Sequence, residues 1–309
     1  MKIIYMGTPE FAVPPLQMLC DSDHQVELVV TQPDRAKNRG KKIQFPPVKE
    51  KALEYGIEVL QPEKIKGNTE FISRIKELEP DLIVVAAYGK ILPPEILQLP
   101  RLGCINIHAS LLPKYRGAAP IHRCIIDGEE NTGITLMYME EGLDTGDMIA
   151  VETTEVDKKT TTELHEELAE MGAKLLLKTL PAIENGRNSR TKQDDSKSSY
   201  APMILKPDEH IDFHKSPEEI ERLVRGLNSW PGAYALYQGE PMKVWKAEVL
   251  DETADLPDGT IIEVSDKGMK VAAGERTLLI KTIQMPGKKS MEVSDYIKGN
   301  KIVTGELLG

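Results

Sequence analysis

The chain has 309 residues, enough for one large domain or two ordinary ones, and 40% of them are hydrophobic. This balance predicts a soluble globular protein with a sizeable core. The net charge of −10 argues against a polyanionic partner when taken alone, although nucleic-acid binding depends on local patches of charge. The chain shows neither a run of about 18 apolar residues nor a signal-peptide pattern, so we expect a cytoplasmic protein without a membrane span.

The cysteines and histidines give no sign of a metal centre or a disulfide framework. Cys20, Cys104 and Cys124 show neither paired spacing nor a neighbouring cluster at zinc-ligand spacing. We expect them to be reduced core residues, which indicates a reducing compartment. No metal is expected in this protein.

In the first half of the chain, short apolar runs alternate with amphipathic stretches. Strands are predicted at residues 3–6, 25–31, 58–60, 82–86, 104–108, 133–139 and 147–154. Helices are predicted at residues 9–20, 46–55, 69–78, 119–127 and 161–180. This alternation predicts an α/β domain with a mostly parallel sheet that is covered by helices on both faces.

The pattern changes after residue 207. Residues 185–199 are polar and are expected to form a loop or the start of a linker. A helix is predicted at 217–227, and short strands follow at 233–237, 243–250, 259–264, 268–272 and 277–285. Five short strands between turns are typical of a small β-barrel, and an oligonucleotide-binding (OB) type is the natural candidate. We therefore predict two domains, at residues 1–205 and 206–309.

The densest polar segment is GCINIHASLLPKYRGAAP, residues 103–120. It begins with the predicted strand that carries Asn106 and His108. Because side chains alternate along a strand, both lie on one face near its carboxyl end, where open α/β sheets bind ligands. The Asn106 amide can donate to a developing oxyanion, and the His108 imidazole can exchange a proton near neutral pH. The alternative is that the two side chains only cap neighbouring loops.

A second polar element is EGLDTGDM, residues 141–148, in which two glycines bracket Asp144. This spacing predicts a tight turn, and an acid in a turn is usually just a turn-forming residue. Beside Asn106 and His108, however, Asp144 would be a carboxylate that orients the imidazole and fixes its tautomer.

Six motifs resemble the 10-formyltetrahydrofolate-dependent formyltransferases, and the similarity spans the whole chain. They are GTPEFA (7–12), QPDR (32–35), AYG (87–89), N-x-H-x-SLLP (106–113), RG (116–117) and GLDTG (142–146). The Asn-x-His, Ser-Leu-Leu-Pro and Asp set is shared by these enzymes, so it indicates the reaction and not the acceptor. The basic segment RGKK (39–42), the elements NSWPG (228–232) and KVWKA (243–247), and the β-rich C-terminal domain resemble the methionyl-tRNA formyltransferase family in particular.

The resemblance implies a Rossmann-like formyltransferase domain that uses 10-formyltetrahydrofolate as formyl donor and needs no metal. Asn106 would stabilise the oxyanion of the tetrahedral intermediate, while His108 and Asp144 would handle the proton. His108 would act as a base if neutral or polarise the formyl oxygen if protonated, and the sequence does not choose between these roles. The folate site would be formed by Ser110, Leu111, Leu112 and Pro113, with Ala87, Tyr88 and Gly89 nearby.

The same resemblance implies that the acceptor is initiator methionyl-tRNA and that the product, N-formylmethionyl-tRNA, serves translation initiation. Residues 34–42 carry five basic side chains and one acidic side chain. Arg39 would reach the acceptor end of the tRNA near its first base pair, and Lys41 and Lys42 would contact phosphate. The C-terminal barrel would grip the acceptor arm. Nothing in the sequence demands a partner chain, so we expect a monomer.

Three alternatives remain open on the sequence alone. The enzyme could formylate the amine of a sugar nucleotide, or it could hydrolyse formyl-folate, but the basic segment and the β-barrel argue against both. The chain could also be a nucleic-acid-binding module with a vestigial catalytic fold. The intact set of Asn106, His108 and Asp144 counts against that possibility.

Overall fold

A computed structural model of the protein describes residues 1–36 and 43–309. The described chain forms two compact units that interleave in sequence. The first unit comprises residues 1–120, 131–155 and 165–202, and the second comprises residues 121–130, 156–164 and 203–309. The boundary predicted between residues 205 and 206 stays a prediction.

Strands and helices alternate through most of the first unit, whereas strands dominate the second. The strands are β1 (Lys2–Gly7), β2 (Gln25–Val30), β3 (Arg35–Ala36), β4 (Ile43–Gln44), β5 (Val59–Leu60), β6 (Leu82–Ala86), β7 (Cys104–His108), β8 (Arg116–Gly117), β9 (Asn131–Tyr138), β10 (Met148–Glu155), β11 (Tyr200–Ala201), β12 (Tyr234–Tyr237), β13 (Glu240–Thr253), β14 (Ile261–Ser265), β15 (Gly268–Ala273), β16 (Arg276–Gln284) and β17 (Met291–Glu292). The α-helices are α1 (Val13–Cys20), α2 (Pro47–Glu54), α3 (Thr69–Leu78), α4 (Pro94–Leu97), α5 (Pro120–Asp127), α6 (Thr161–Glu184), α7 (Pro217–Gly226) and α8 (Val293–Tyr296).

The main sheet of the first unit has the strand order β10-β9-β7-β6-β1-β2-β5. The five strands from β7 to β5 are parallel, whereas β9 pairs antiparallel with both β7 and β10 at one edge. The chain moves from β1 to β2 and β5 and then returns to β6 and β7. The winding therefore reverses between β1 and β6, and in such sheets ligands bind beyond the carboxyl ends of the strands near that reversal. The predicted α/β sheet is confirmed.

The parallel strands are apolar on both faces because each face is covered by helices. On one face, Ile4 and Ile83 pack in a cluster with Ile75 of α3. On the other face, the backbone of α6 at Gly172 lies against the side chain of Ile107. Burial on both faces explains why β1 and β6 are continuous apolar runs without alternation. Within the two described stretches of chain, none of the helices combines the length and apolar character needed to cross a bilayer.

The second unit is built on an antiparallel sheet with the order β12-β13-β16-β15-β14, and β17 also pairs with β16. Its two outer strands are joined through the end of the chain. Leu236 of β12 exchanges backbone hydrogen bonds with Gly309, and Ile261 of β14 bonds to Gly305 and Glu306. The C-terminal segment thus covers two strand edges that would otherwise be open. A β-rich C-terminal domain is confirmed, and its assignment to the OB type stays a prediction.

The structure differs from the predicted elements mainly in length and in short pieces. Strand β13 runs from Glu240 to Thr253, well beyond the predicted 243–250. Helix α6 continues through Pro181 to Glu184, although a proline inside a helix removes one hydrogen bond and crowds the preceding turn. The two-residue strands β3, β4, β8, β11 and β17 and the short helices α4 and α8 were not predicted. Such pieces are too short to show a periodic pattern.

Candidate active site

The carboxyl end of β7 presents the two polar side chains that strand periodicity placed on one face. Asn106 is half-buried, and the side chain of His108 is 6% exposed. Both approach the carboxylate of Asp144, which lies on the loop between β9 and β10. Asn106 Nδ2 lies 3.3 Å from Asp144 Oδ1, and His108 Nδ1 lies 3.7 Å from Asp144 Oδ2. The structure therefore brings the three predicted residues together around one carboxylate.

The backbone holds the other imidazole nitrogen of His108. Nε2 lies 2.9 Å from the carbonyl oxygen of Tyr115. Because a carbonyl oxygen can only accept a hydrogen bond, Nε2 carries a hydrogen and donates it. Tyr115 adopts a left-handed backbone conformation with a φ of 59°, which is unfavourable for residues other than glycine. Nδ1 is therefore the nitrogen that faces Asp144.

Asp144 is held in place by backbone geometry on both sides. Its φ is 52°, again in the left-handed region, where a residue with a side chain stays only if its surroundings enforce the conformation. The backbone N–H of Gly117 donates to Asp144 Oδ2 at 2.9 Å. At Gly146, a Cβ atom would overlap the carbonyl oxygen of Tyr138. Glycine is therefore required at that position for the turn to close as observed.

Two further residues support the Asp144 loop from behind. Gln193 Nε2 donates to the carbonyl oxygens of Asp144 and Gly146, both at 2.8 Å. The Gln193 amide oxygen accepts from Arg116 Nε at 3.0 Å and from Nη2 at 2.8 Å. Arg116 is 3% exposed, and its Nη2 also pairs with Asp195 at 2.8 Å. A chain of hydrogen bonds thus runs from a buried guanidinium to the backbone that carries Asp144.

Sequence reasoning did not single out Gln193, and it named Arg116 only as part of a motif. Gln193 lies in the polar stretch 185–199, which was predicted to be a loop or the start of a linker. That stretch returns to the sheet because β11 pairs with β8, with Tyr200 opposite Arg116. No local pattern reveals the return. In the sequence, the RG motif at residues 116–117 was the only hint that Arg116 matters, and it had no assigned role.

The predicted folate-lining residues 110–113 form a turn that is tied to β9. Thr135 Oγ1 donates to the Ser110 carbonyl oxygen at 2.7 Å and accepts from the Leu112 N–H at 3.1 Å. The Ser110 hydroxyl donates to the carbonyl oxygen of Lys114 at 2.7 Å. Ser110 and Leu112 are buried, whereas Leu111 and Pro113 are half-exposed. The turn therefore follows β7 directly, and its serine hydroxyl is engaged in a hydrogen bond within the protein.

The AYG loop follows β6, and its tyrosine side chain points into the protein and not towards a ligand. Ala87 and Gly89 are exposed, but the Tyr88 side chain is 2% exposed and packs in the apolar cluster with Leu92 and Ile96. Burial raises the pKa of the Tyr88 phenol. Among the described residues, no hydrogen-bond partner is found for its hydroxyl. Only Ala87 and Gly89 of the three predicted residues are open to a ligand.

Three motifs that lie far apart in the sequence meet at the carboxyl ends of β1, β2 and β6. The Tyr88 carbonyl oxygen accepts from Gln32 Nε2 at 2.9 Å and from Thr8 Oγ1 at 3.4 Å. The Gln32 N–H in turn donates to Thr8 Oγ1 at 3.2 Å. The GTPEFA, QPDR and AYG motifs therefore form one connected edge of the sheet. It is the same edge at which β7 presents Asn106 and His108.

A polar network lies at the base of the basic segment. Lys49 Nζ donates to both carboxylate oxygens of Asp34, at 2.7 and 2.9 Å, and Gln61 Nε2 donates to Asp34 at 2.8 Å. The hydrogen bond from Lys49 holds the pKa of Asp34 below its usual range. Asp34 immediately precedes β3, which pairs with β4. The three residues predicted to contact RNA, Arg39, Lys41 and Lys42, lie outside the described residues.

Metal ligation is one role that neighbouring histidine and carboxylate side chains can serve. Among residues 1–36 and 43–309, the structure contains no group of three or more His, Cys, Asp or Glu side chains arranged to hold a metal ion. His108 and Asp144 instead contact each other and the backbone of Tyr115 and Gly117.

Comparison with known proteins identifies the family of the chain. A family model described as formyl transferase matches residues 1–180, and a second, described as formyl transferase, C-terminal domain, matches residues 203–301. The methionyl-tRNA formyltransferase of Clostridioides difficile is 54% identical over 310 residues and is covered in full by this chain. The chain belongs to the methionyl-tRNA formyltransferase family. A second member of the family, from Ruminiclostridium cellulolyticum, is 52% identical over 312 residues, with full coverage of both chains.

Solved structures with lower sequence identity share the fold of the family. WlaRD, a sugar 3N-formyl transferase crystallised in the presence of dTDP and 5-N-formyl-THF, superposes with a TM-score of 0.69 at 21% identity, covering 94% of this chain and 99% of that one. HypX from Aquifex aeolicus in complex with tetrahydrofolic acid superposes with a TM-score of 0.63 at 18% identity. That match covers 97% of this chain and 47% of HypX. At this identity the likeness concerns the fold alone.

Proposed function

We propose that this protein transfers the formyl group of 10-formyltetrahydrofolate to the α-amino group of methionyl initiator tRNA. The observation that carries the proposal is the Asp144 carboxylate held against both Asn106 Nδ2 and His108 Nδ1 at the carboxyl end of β7. This arrangement offers a hydrogen-bond donor and a proton-exchanging group at one point. Membership of the methionyl-tRNA formyltransferase family supports the choice of acceptor.

Proton transfer is assigned to His108 and Asp144. The reaction forms a bond between the amine nitrogen and the formyl carbon and breaks the bond from that carbon to N10 of the folate. One proton must therefore move from the attacking amine to the departing N10. His108 donates from Nε2 to Tyr115, so Nδ1 is the atom that takes up and releases this proton. Asp144, 3.7 Å from Nδ1, stabilises the imidazolium while it exists.

Asn106 is assigned to the oxyanion. As the amine adds to the formyl carbon, negative charge develops on the formyl oxygen. An amide Nδ2 group carries two hydrogens, and one of them is used at Asp144. The second can donate to the developing oxyanion, a type of contact worth about 3 kcal/mol in other acyl-transfer enzymes. The single hydrogen bond to Asp144 thus orients Asn106 and leaves one donor for catalysis.

The folate is assigned to the surface formed by the turn 110–113 and the AYG loop. Leu111 and Pro113 are half-exposed, and Ala87 and Gly89 are exposed, so these four residues are available to a ligand. Tetrahydrofolate bound to HypX and formyl-folate present with WlaRD support a folate in a site of this fold. Ser110, Leu112 and Tyr88 are assigned to supporting this surface from inside the protein, since their side chains are buried. We further propose that the active form is a cytoplasmic monomer.

The direct test is transfer of labelled formyl from 10-formyltetrahydrofolate to initiator methionyl-tRNA by the purified protein. We expect rapid formylation of initiator methionyl-tRNA, much slower formylation of elongator methionyl-tRNA, and no transfer to an amino-sugar nucleotide. Faster transfer to the amino-sugar nucleotide would reject the tRNA acceptor. Binding of tRNA without consumption of the donor would reject the enzyme altogether.

The assignment of RNA contact to Arg39, Lys41 and Lys42 gives a separate prediction. Arg39→Ala should lower kcat/KM for methionyl-tRNA by about tenfold or more, because a close phosphate or base contact is lost. Hydrolysis of the formyl donor should change less than twofold. Arg187→Ala, which removes an exposed cation just after α6, serves as the control and should leave both rates unchanged. Equal losses of transfer and hydrolysis in Arg39→Ala would show that Arg39 serves the fold or the folate.

A further inference from the structure

Residues 193–201, here called the strap, run along the backbone of residues 113–119. Within the strap, β11 pairs in parallel with β8, and Ala201 lies opposite Gly117. The Ala201 carbonyl oxygen accepts from the N–H of Ala118 at 3.0 Å. A Cβ atom at Gly117 would lie 3.0 Å from that same oxygen. The two backbones are therefore in close contact, and the strap can fix the groups that residues 113–119 present to the site.

Ser199 of the strap holds the peptide groups on both sides of Tyr115. Its hydroxyl oxygen accepts from the Tyr115 N–H at 2.9 Å, and its carbonyl oxygen accepts from the Arg116 N–H at 2.9 Å. Because a peptide group is planar, the second bond also fixes the direction of the Tyr115 carbonyl oxygen. That oxygen is the one that accepts from His108 Nε2 at 2.9 Å. Ser199 therefore determines where the acceptor for His108 lies.

The hydroxyl of Ser199 acts against the conformational preference of Tyr115. The φ of Tyr115 is 59°, a left-handed conformation that persists only where the surroundings enforce it. Rotation about the N–Cα bond of Tyr115 would break its bond to the Ser199 hydroxyl or the bond from Arg116 to the Ser199 carbonyl oxygen. Without the hydroxyl, this rotation loses one of its two restraints.

The strap also supports the carboxylate that faces His108. Near the start of the strap, Gln193 Nε2 donates to the Asp144 carbonyl oxygen at 2.8 Å. Ser199 lies near the other end, and between the two the chain forms a short 3-10 turn at Asp195–Lys197. The strap thus supports both partners of the His108–Asp144 pair, with a different side chain for each.

We infer that Ser199 is a positioning residue for formyl transfer, because its hydroxyl fixes the carbonyl oxygen that keeps His108 in the Nε2–H tautomer. Asp144 by itself favours the other tautomer, since a hydrogen on Nδ1 could be donated to Oδ2, 3.7 Å away. A neutral imidazole with its hydrogen on Nδ1 cannot take up a proton there. The Tyr115 carbonyl oxygen must therefore outcompete Asp144 for the imidazole hydrogen. The inference rests on the proposed function, which makes Nδ1 the proton acceptor.

The first measurement is the tautomer of His108, read from the ring-nitrogen NMR signals of protein that contains isotope-labelled histidine. In alkaline buffer, where imidazoles are neutral, His108 of the wild type should show the Nε2–H pattern. His108→Gln identifies its signals among the six histidines. Ser199→Ala should show a mixture with the Nδ1–H tautomer, because the Tyr115 carbonyl oxygen is no longer fixed. This measurement needs neither tRNA nor folate.

The second measurement is steady-state formyl transfer, with the unfolding midpoint recorded for each variant. Ser199→Ala should lower kcat about tenfold and leave KM for both substrates within about twofold, since a misplaced catalytic group slows the reaction and not the binding. Ser199→Thr keeps the hydroxyl and should lose less than about threefold, whereas Ser199→Val, which has the same shape without a hydroxyl, should match Ser199→Ala. Ser198→Ala is the control, because the Ser198 hydroxyl donates within the strap, to the Asp195 carbonyl oxygen at 2.8 Å. It should change neither the tautomer nor kcat.

Any of three results would overturn the inference: an unchanged His108 tautomer in Ser199→Ala, a kcat of that variant within about twofold of wild type, or equal losses in Ser199→Thr and Ser199→Val. A protein that transfers no formyl group but whose His108 tautomer depends on Ser199 would reject the proposed function, and the positioning of His108 by Ser199 would still hold. An active enzyme whose tautomer is the same with and without the Ser199 hydroxyl would reject this inference and keep the proposed function.

Discussion

Asp144→Asn is expected to lower kcat for formyl transfer by about a thousandfold, the scale of a positioned proton transfer. The amide has nearly the same shape, and its oxygen can still accept the Gly117 N–H that donates to Oδ2 at 2.9 Å. It carries no negative charge, however, so an imidazolium at His108 Nδ1 loses its counter-ion 3.7 Å away. The new NH₂ group would also face Asn106 Nδ2, which lies 3.3 Å from the present carboxylate. Two donors would then point at each other.

The measurement is single-turnover transfer at saturating donor and methionyl-tRNA, with the unfolding midpoint recorded for each variant. Asp144→Glu keeps the charge but extends the side chain by one methylene in a turn closed by Gly146. We expect it to lose about a hundredfold, less than the asparagine variant. If Asp144→Asn retained more than a tenth of the wild-type kcat with an unchanged fold, the assignment of proton transfer to this pair would be wrong.

Arg116→Met should lower the free energy of unfolding by about 2–3 kcal/mol, because it leaves the buried Gln193 amide oxygen without its donors. The guanidinium supplies two hydrogen bonds to that oxygen, at 3.0 and 2.8 Å. Gln193 in turn donates to the carbonyl oxygens of Asp144 and Gly146. Loosening of Gln193 should therefore displace Asp144 and lower kcat by about tenfold to a hundredfold, since small displacements of catalytic groups are costly.

Denaturant unfolding and the formyl-transfer assay test the two parts of this prediction. Asp195→Asn is the matched control, because it removes the negative charge of the other partner of Arg116 without touching Gln193. The Asp195 side chain is 81% exposed, and ion pairs at the surface contribute little. We expect a change of less than about 0.5 kcal/mol and a normal kcat. Similar losses in the two variants would mean that the Asp195 ion pair, and not the hydrogen bonds to Gln193, holds the loop.

The central strands were predictable because burial on both faces requires continuous apolar runs. Residues 82–86 read LIVVA and form β6 with the predicted bounds, and residues 104–108 form β7 in the same way. The antiparallel placement of β9 and β10 was not predictable, because an apolar run carries no information about the direction of its neighbour. The closure of the second sheet by residues 305–309 was equally hidden, since it depends on backbone contacts between distant parts of the chain.

Two of the three central residues of the candidate site could be placed from local geometry. Asn106 and His108 stand two apart on one strand, so the period of the strand alone places both at the same edge. The turn around Asp144 could also be predicted from its glycines. Its approach to His108 could not, because 36 residues separate the two positions and the contact depends on how β9 returns along β7. In the sequence, only the resemblance to a family places Asp144 in one site with Asn106 and His108.

The amino-acid sequence by itself determined the class of fold, the position of Asn106 and His108 on a strand, and the family-wide motifs that indicate formyl transfer. These features depend on residue type and on short periodic spacing. The tertiary structure alone decided that Tyr88 is buried and that Arg116 and Gln193 support the Asp144 loop. Each of these depends on contacts between segments far apart in the chain, and a one-dimensional pattern carries no record of such contacts.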